Sequence, residues 1–200
     1  MSVTFNKLIS LLTESINNKP LIAIDIQPCY RKHCNNIMPR YIDFLNKRNG
    51  NTYVFFNDEY MGCDTLEDVQ YYYLENGLKE DKINTINWRP KQYAFFRNWM
   101  DFGIDEHDII QAIRYMVMNR IYDSRDISDE ILAKLLHDDE SFIKFAKDDI
   151  ITIPDINIAE LKHNSPCYLC GGGYDECLKE IRILLNTFNI KYKVINNLVY

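Results

Sequence analysis

Residues 166–181, "PCYLCGGGYDECLKEI", run from an apolar stretch through three glycines into a helical pattern. "CYLC" reads as a buried strand, and Leu178, Ile181, Leu184, Leu185 and Phe188 then recur at three- and four-residue steps, which predicts a helix with one buried face. Strand, tight turn, helix is the repeating unit of an α/β fold with a parallel sheet. The glycines let the backbone take conformations closed to other residues and bring N–H groups close to a ligand, and a helix start favours negative charge. Cys177 falls in the first helical turn if Asp175 stands near the N-cap. A thiol there, beside a cation, titrates below its ordinary value near 8.5. Cys177 is therefore an activated nucleophile, or else a small buried residue behind a turn.

The same alternation extends outward from this segment. Upstream, "LIAIDI" (21–26) is a short branched run between Pro20 and Pro28, suited to a buried parallel strand, and its polar exception is Asp25. "MPRYIDFLNKRNG" reads as a helix stopped by Gly50, "TYVFF" as a second strand, "TLEDVQYYYLENG" as a helix ended by Gly77, and "KINTINW" as a weaker strand. Before them, Phe5, Leu8, Leu12 and Ile16 mark an amphipathic helix over 3–17. From about 105 to 162 the chain turns helical, with "DEHDIIQAIRYMVMNRI", "SDEILAKLLHDD" and "DESFIKFAK" each opening on a capping residue. "IKYKVINNLVY" supplies a last strand. The expectation is one domain over 1–200. It has a three-layer αβα architecture, a mainly parallel sheet of five or more strands, and a helical subdomain or lid inserted at about 105–162.

Two hundred residues suffice for one sizeable core, and no low-complexity stretch divides them. A net charge of −6 argues against a large nucleic-acid footprint, because phosphate binding needs a basic surface. The longest apolar runs are too short to cross a bilayer, and residues 1–19 lack the basic start and cleavage site of a signal peptide. A cytoplasmic, reducing location is expected, the host's cytoplasm if the source is viral. There the six cysteines are free thiols. Abundant Asn, Ile, Lys and Tyr are what an AT-rich coding sequence favours, as in some bacteria, phages and large viruses.

Ligands of open α/β sheets collect beyond the carboxyl ends of the strands. Asp25 and the glycine turn fall there, and three motifs around them resemble those of the isochorismatase-like cysteine hydrolases, which include nicotinamidases. "DIQPCY" matches that family's Asp-x-Gln with a following aromatic, at Asp25, Gln27 and Tyr30. "GGGYDEC" matches its Gly-x-x-x-Asp-x-Cys, at Gly171, Asp175 and Cys177. "PKQYAFFRNW" offers its lysine before an aromatic stretch, at Lys91, Phe95 and Phe96.

The resemblance implies a triad in which Asp25 takes the thiol proton, Lys91 holds the negative charges and Cys177 attacks a carbonyl or related carbon. It implies an oxyanion hole from backbone N–H groups around Gly172, Gly173, Tyr174 and Cys177, and a non-proline cis peptide in the turn, which Gly172–Gly173 would ease. The substrate is then a small molecule with an amide or similar C–N or C–O bond, and no cofactor is needed. Two departures stand out. Lys91 and Cys177 are 86 residues apart, so the pocket differs from the family's usual one, and "FFNDEYMGCDT" has no histidine where nicotinamidases bind a metal. The chain also ends just after its fifth strand, leaving an edge for the insert or a second copy to cover. A non-catalytic binding or assembly module on the same fold is the competing expectation.

Other residues carry two readings each. Gln27 and Tyr30 contact substrate or brace the first loop, with the structural role preferred. Arg97, beside Phe96, binds a substrate anion through its planar fork or simply packs. Cys167 and Cys170 form a C-x-x-C, but inside a strand their side chains face opposite ways, which disfavours zinc or redox use. No metal is expected. His107, His137 and His163 are expected at the surface.

Overall fold

In the computed structural model the described residues are 16–59, 62–91, 97–101, 103–136 and 156–200, with the side chains of residues 97 and 98 left aside. Five parallel strands form one sheet: β1 (Leu21–Ile24), β2 (Thr52–Asn57), β3 (Ile86–Lys91), β4 (Cys167–Gly171) and β5 (Tyr192–Val194), in the order β3-β2-β1-β4-β5. β1 is central, with Ala23 opposite Val54 on one side and Cys170 on the other. All four of its residues are fully buried. That is why "LIAI" is a continuous apolar run rather than an alternating one.

Helices cover both faces, so the architecture is three-layered α/β. Leu21 and Ala23 point into a cluster with α2 (Met38–Lys47) and α3 (Leu66–Glu75), through Tyr41, Ile42, Leu45, Val69 and Tyr73. Ile22 and Ile24 point into the other, built on α6 (Glu106–Met118), α7 (Asp129–Leu136), α8 (Ile158–His163) and α9 (Cys177–Thr187). Between these lie the short helices α1 (Arg31–Cys34), α4 (Glu80–Ile83) and α5 (Arg97–Asp101). The helices within 105–162 bury Ile109, Ile113, Met116, Leu132 and Leu161 in the same core as the sheet, so they form one of its layers.

Local chemistry explains the boundaries. Thr65 and Asp68 form a reciprocal capping box on α3, and Asp105 caps α6 by accepting from the His107 N–H at 2.8 Å. β3 carries Pro90, which a sheet tolerates only where a missing N–H is harmless, and β3 is an edge strand. Cys167 lies in one core cluster and Cys170 in the other, as the strand period requires. The helix expected over 3–17 lies outside the described residues except for its end, where residues 16–18 are helical, and "DESFIKFAK" lies wholly outside them.

Strand order decides where a site can form. From β1 the chain first moves one way to β2 and β3, then crosses back to the far side of β1 for β4 and β5. The crossover directions diverge between β1 and β4, and the carboxyl ends of these two strands are where ligands of open α/β sheets collect. Asp25 directly follows β1, and the glycine turn directly follows β4.

Candidate functional site

Asp25 is fully buried and holds φ +58°, a left-handed conformation uncommon outside glycine. Its backbone is pinned on both sides: its N–H donates to Phe55 O at 2.9 Å, and its C=O accepts from the Tyr200 hydroxyl at 2.8 Å and from Cys34 Sγ at 3.6 Å. Strain of this kind persists only where its surroundings over-determine it, and it aims the carboxylate across the ends of the strands. Lys91 Nζ meets both carboxylate oxygens, at 2.8 Å from Oδ1 and 2.9 Å from Oδ2, with its side chain 2% exposed. The Oδ2 contact is an aligned hydrogen bond. Oδ1 is close but not aligned, so it keeps acceptor capacity inside the protein.

Lysine suits this place because of its length. β3 lies two strands from β1, roughly 9–10 Å away at normal sheet spacing, and only a long side chain spans the end of β2. Burial works against the ammonium, but the charges of Asp25, Glu180 and Cys177 outweigh it and hold Lys91 above its ordinary value. The lysine therefore stays an ammonium.

Cys177 is the first residue of α9, and Glu176 rather than Asp175 occupies the N-cap. Its thiol lies near enough to Asp25 and Lys91 to feel both charges. Burial, the charge of Asp25, a thiol contact with that carboxylate and Glu180 push the thiol well up, against the opposing pull of Lys91. This reverses the expectation of an activated resting thiolate: one ammonium does not offset two carboxylates and desolvation. The resting group is a neutral thiol beside the Asp25 carboxylate.

The turn behind Cys177 needs glycine at two positions. Gly171 has φ +77°, and a Cβ there would come within 2.2 Å of Ile24 O. Gly172 has φ +51°, and its Cβ would lie 3.0 Å from that of Cys177. The Gly173 carbonyl accepts from the N–H groups of Glu176 at 3.1 Å and Leu178 at 3.2 Å, closing the turn into the helix. The Cys177 N–H stands among the first helical amides, for which no intrahelical carbonyl exists. The cis peptide implied by the family resemblance is absent from the turn, where glycine φ values provide the bend; Ser165–Pro166 is the cis bond among the described residues. Tyr174 is 46% exposed, and its ring is covered by the Arg182 guanidinium at 4.4 Å.

Gln27 and Tyr30 are both hydrogen-bonded to Asn57 at the end of β2. Gln27 is fully buried, donates to Asn57 O at 2.9 Å and Asp64 Oδ2 at 2.7 Å, and accepts from the Asn57 N–H at 2.7 Å. Its amide is consumed in joining the β1 and β2 loops. The Tyr30 hydroxyl accepts from Asn57 Nδ2 at 2.6 Å, and burial together with Asp25, Cys63 and Cys177 keeps it protonated. Phe96 and the side chain of Arg97 lie outside the described residues.

Two residues absent from the sequence reading join the site. Glu180, 1% exposed, stands one turn along α9 from Cys177 and acts electrostatically on both Lys91 and Cys177. An acidic residue within the apolar stripe of a helix was its only signal. Tyr200 arrives from the far end of the chain, and no local pattern marks it.

A cavity of about 410 Å³ lies at the opposite end of the sheet, lined by Arg48, Thr52, Lys82 and Ile86 among others. Its buried Arg48 is fully engaged, donating to Thr52 Oγ1 at 2.8 Å and Lys19 O at 2.6 Å, so it braces the chain rather than awaiting an anion. Among the described residues no cluster of His, Cys, Asp and Glu is arranged to hold a metal, and no helix is long and apolar enough to cross a membrane. No family model, curated protein or solved structure matches this chain, so the geometry alone carries the functional argument.

Proposed function

We propose that the protein is a cysteine hydrolase cleaving an amide or similar C–N or C–O bond of a small molecule, in the manner of the isochorismatase-like family. The observation that carries this is the buried Asp25–Lys91 pair facing Cys177 at the start of a helix. Cys177 Sγ attacks the carbonyl carbon as its proton passes to Asp25. The two events are coupled, because a free thiolate beside two carboxylates is unfavourable. The oxyanion accepts a hydrogen bond from the Cys177 N–H at the start of α9, a term typically worth about 2.7–4 kcal/mol per donor. Collapse of the intermediate expels the amine or alcohol, which takes the proton from Asp25 and leaves a thioester. Water then attacks with Asp25 as base and releases the acid. Lys91 stays protonated throughout and faces the Asp25 carboxyl as its proton comes and goes.

A binding module on the same frame is the second reading, favoured by the upward shift of the resting thiol. The two readings separate in a panel of small primary amides, followed by ammonia release and by intact mass for a hydroxylamine-sensitive adduct. Hydrolysis predicts turnover, an acyl group on Cys177 and a loss of at least about 10³-fold in Cys177→Ser. Silence across the panel, or turnover surviving Cys177→Ser, favours the binding module.

A further inference from the structure

Cys29 and Cys63 are separated by 33 intervening residues, yet their sulfurs lie 2.8 Å apart. That is well inside the distance of two thiols merely in contact, although both are free cysteines. The approach is supported by the backbone on each side. The Cys29 N–H donates to Asp64 Oδ2 at 2.9 Å, the same oxygen that accepts from Gln27 Nε2 at 2.7 Å, so Asp64, the neighbour of Cys63, grips the loop after β1. The Cys63 N–H in turn donates to Asp58 O at 3.2 Å. The loops after β1 and β2 are thus held with both sulfurs facing before any bond joins them. Both sulfurs are reachable, since Cys29 is exposed and Cys63 partly so. Cys34, Cys167 and Cys170 are buried.

We propose that Cys29 and Cys63 form a reversible redox pair, oxidised to an intramolecular disulfide by a small-molecule disulfide of the glutathione type. The Cys29 thiolate attacks one sulfur of the oxidant, forming a mixed disulfide and expelling one thiolate. Cys63 gives up its proton and attacks the Cys29 sulfur, and the second thiolate leaves. The two cysteine sulfurs are oxidised, the oxidant is reduced to two thiols, and the two cysteine protons end on them. Cys29 is the more exposed of the two and so meets the oxidant first, while burial, Cys29 and Asp64 push the Cys63 thiol up. The bond would tie the loop after β1, which carries Gln27 and Tyr30, to the loop after Asn57 at the end of β2, close in sequence to Asp25. This inference is independent of the hydrolase reading, because it depends on none of Asp25, Lys91 or Cys177.

The test uses the full native chain in glutathione disulfide at neutral pH, quenched with acid, alkylated with N-ethylmaleimide and digested without reduction. The expected product is one peptide pair linking Cys29 to Cys63, lighter by two hydrogen atoms, formed at least about tenfold faster than any other cysteine is consumed and reversed by dithiothreitol. In Cys63→Ser, a glutathione adduct should accumulate on Cys29. A link between other cysteines, a link formed only in denaturant, or stable adducts on wild-type Cys29 without closure would each overturn the pair. An adduct-free Cys29 in Cys63→Ser would overturn its role as the attacking thiol.

Discussion

The charge that keeps Cys177 neutral at rest is the same charge that would accept its proton, and this sets two outcomes in opposition. In Asp25→Asn the thiol loses its strongest electrostatic opponent while Lys91 remains, so its pKa falls. Iodoacetamide should then label Cys177 faster at neutral pH than in the wild type, while hydrolysis drops about 10²–10⁴-fold for want of a base. Slower labelling in the variant would contradict the placement of Asp25 beside the thiol. Lys91→Met leaves a carboxylate buried without its ammonium, and about 3–5 kcal/mol of stability should be lost in urea unfolding. The pH dependence has a definite sign. The folded Lys91 titrates above its unfolded value, so the pair's contribution is complete below the ordinary lysine pKa of about 10.4 and is lost as pH rises through the folded value. The stability gap between wild type and Lys91→Met should therefore be constant near neutrality and narrow in alkali.

The strand-to-helix turn after β4 is the element on which site and fold both depend. Gly171 sits where a side chain would run into the Ile24 carbonyl and where the backbone is left-handed, so Gly171→Ala combines a steric clash with backbone strain. Gly62 shares the left-handed φ but faces open space. Gly62→Ala should cost only about 1–2 kcal/mol, whereas Gly171→Ala should cost several times more or prevent folding, as read by urea midpoints. Equal costs would mean that β1 and β4 do not approach as described. "GGG" before a helical pattern was enough to expect this turn. The cis peptide was not legible because it came with the family likeness and not from these residues, which bend through glycine φ instead.

Across the whole molecule, α6 to α9 form one layer on the sheet, and Ile113 in α6 shares its cluster with Ile22 of β1 and Leu169 of β4. Ile113→Ala should cost about 2–5 kcal/mol. Unfolding followed by far-ultraviolet circular dichroism and by the fluorescence of buried Trp99, read in a Trp88→Phe background, should remain coincident, because one core loses stability as a unit. Separate transitions would instead mark the helices of 105–162 as an independent subdomain.

Local pattern carries what one element needs by itself: continuous apolar runs for doubly covered strands, three- and four-residue steps for helices, glycines at a turn, an acid out of place in "LIAIDI". From these the α/β class, a first strand with Asp25 near its end, a glycine turn after "CYLC", and Cys177 in a first helical turn all follow. Tertiary structure alone decided the electrostatics. Whether a thiol at a helix start is lowered or raised depends on every charge within a few ångströms, and Glu180, Asp25 and Lys91 come from three different elements. Tyr200 on the Asp25 carbonyl and Cys63 against Cys29 are likewise contacts between distant positions in the chain, set by strand order and loop packing, for which no nearby residue carries a signal.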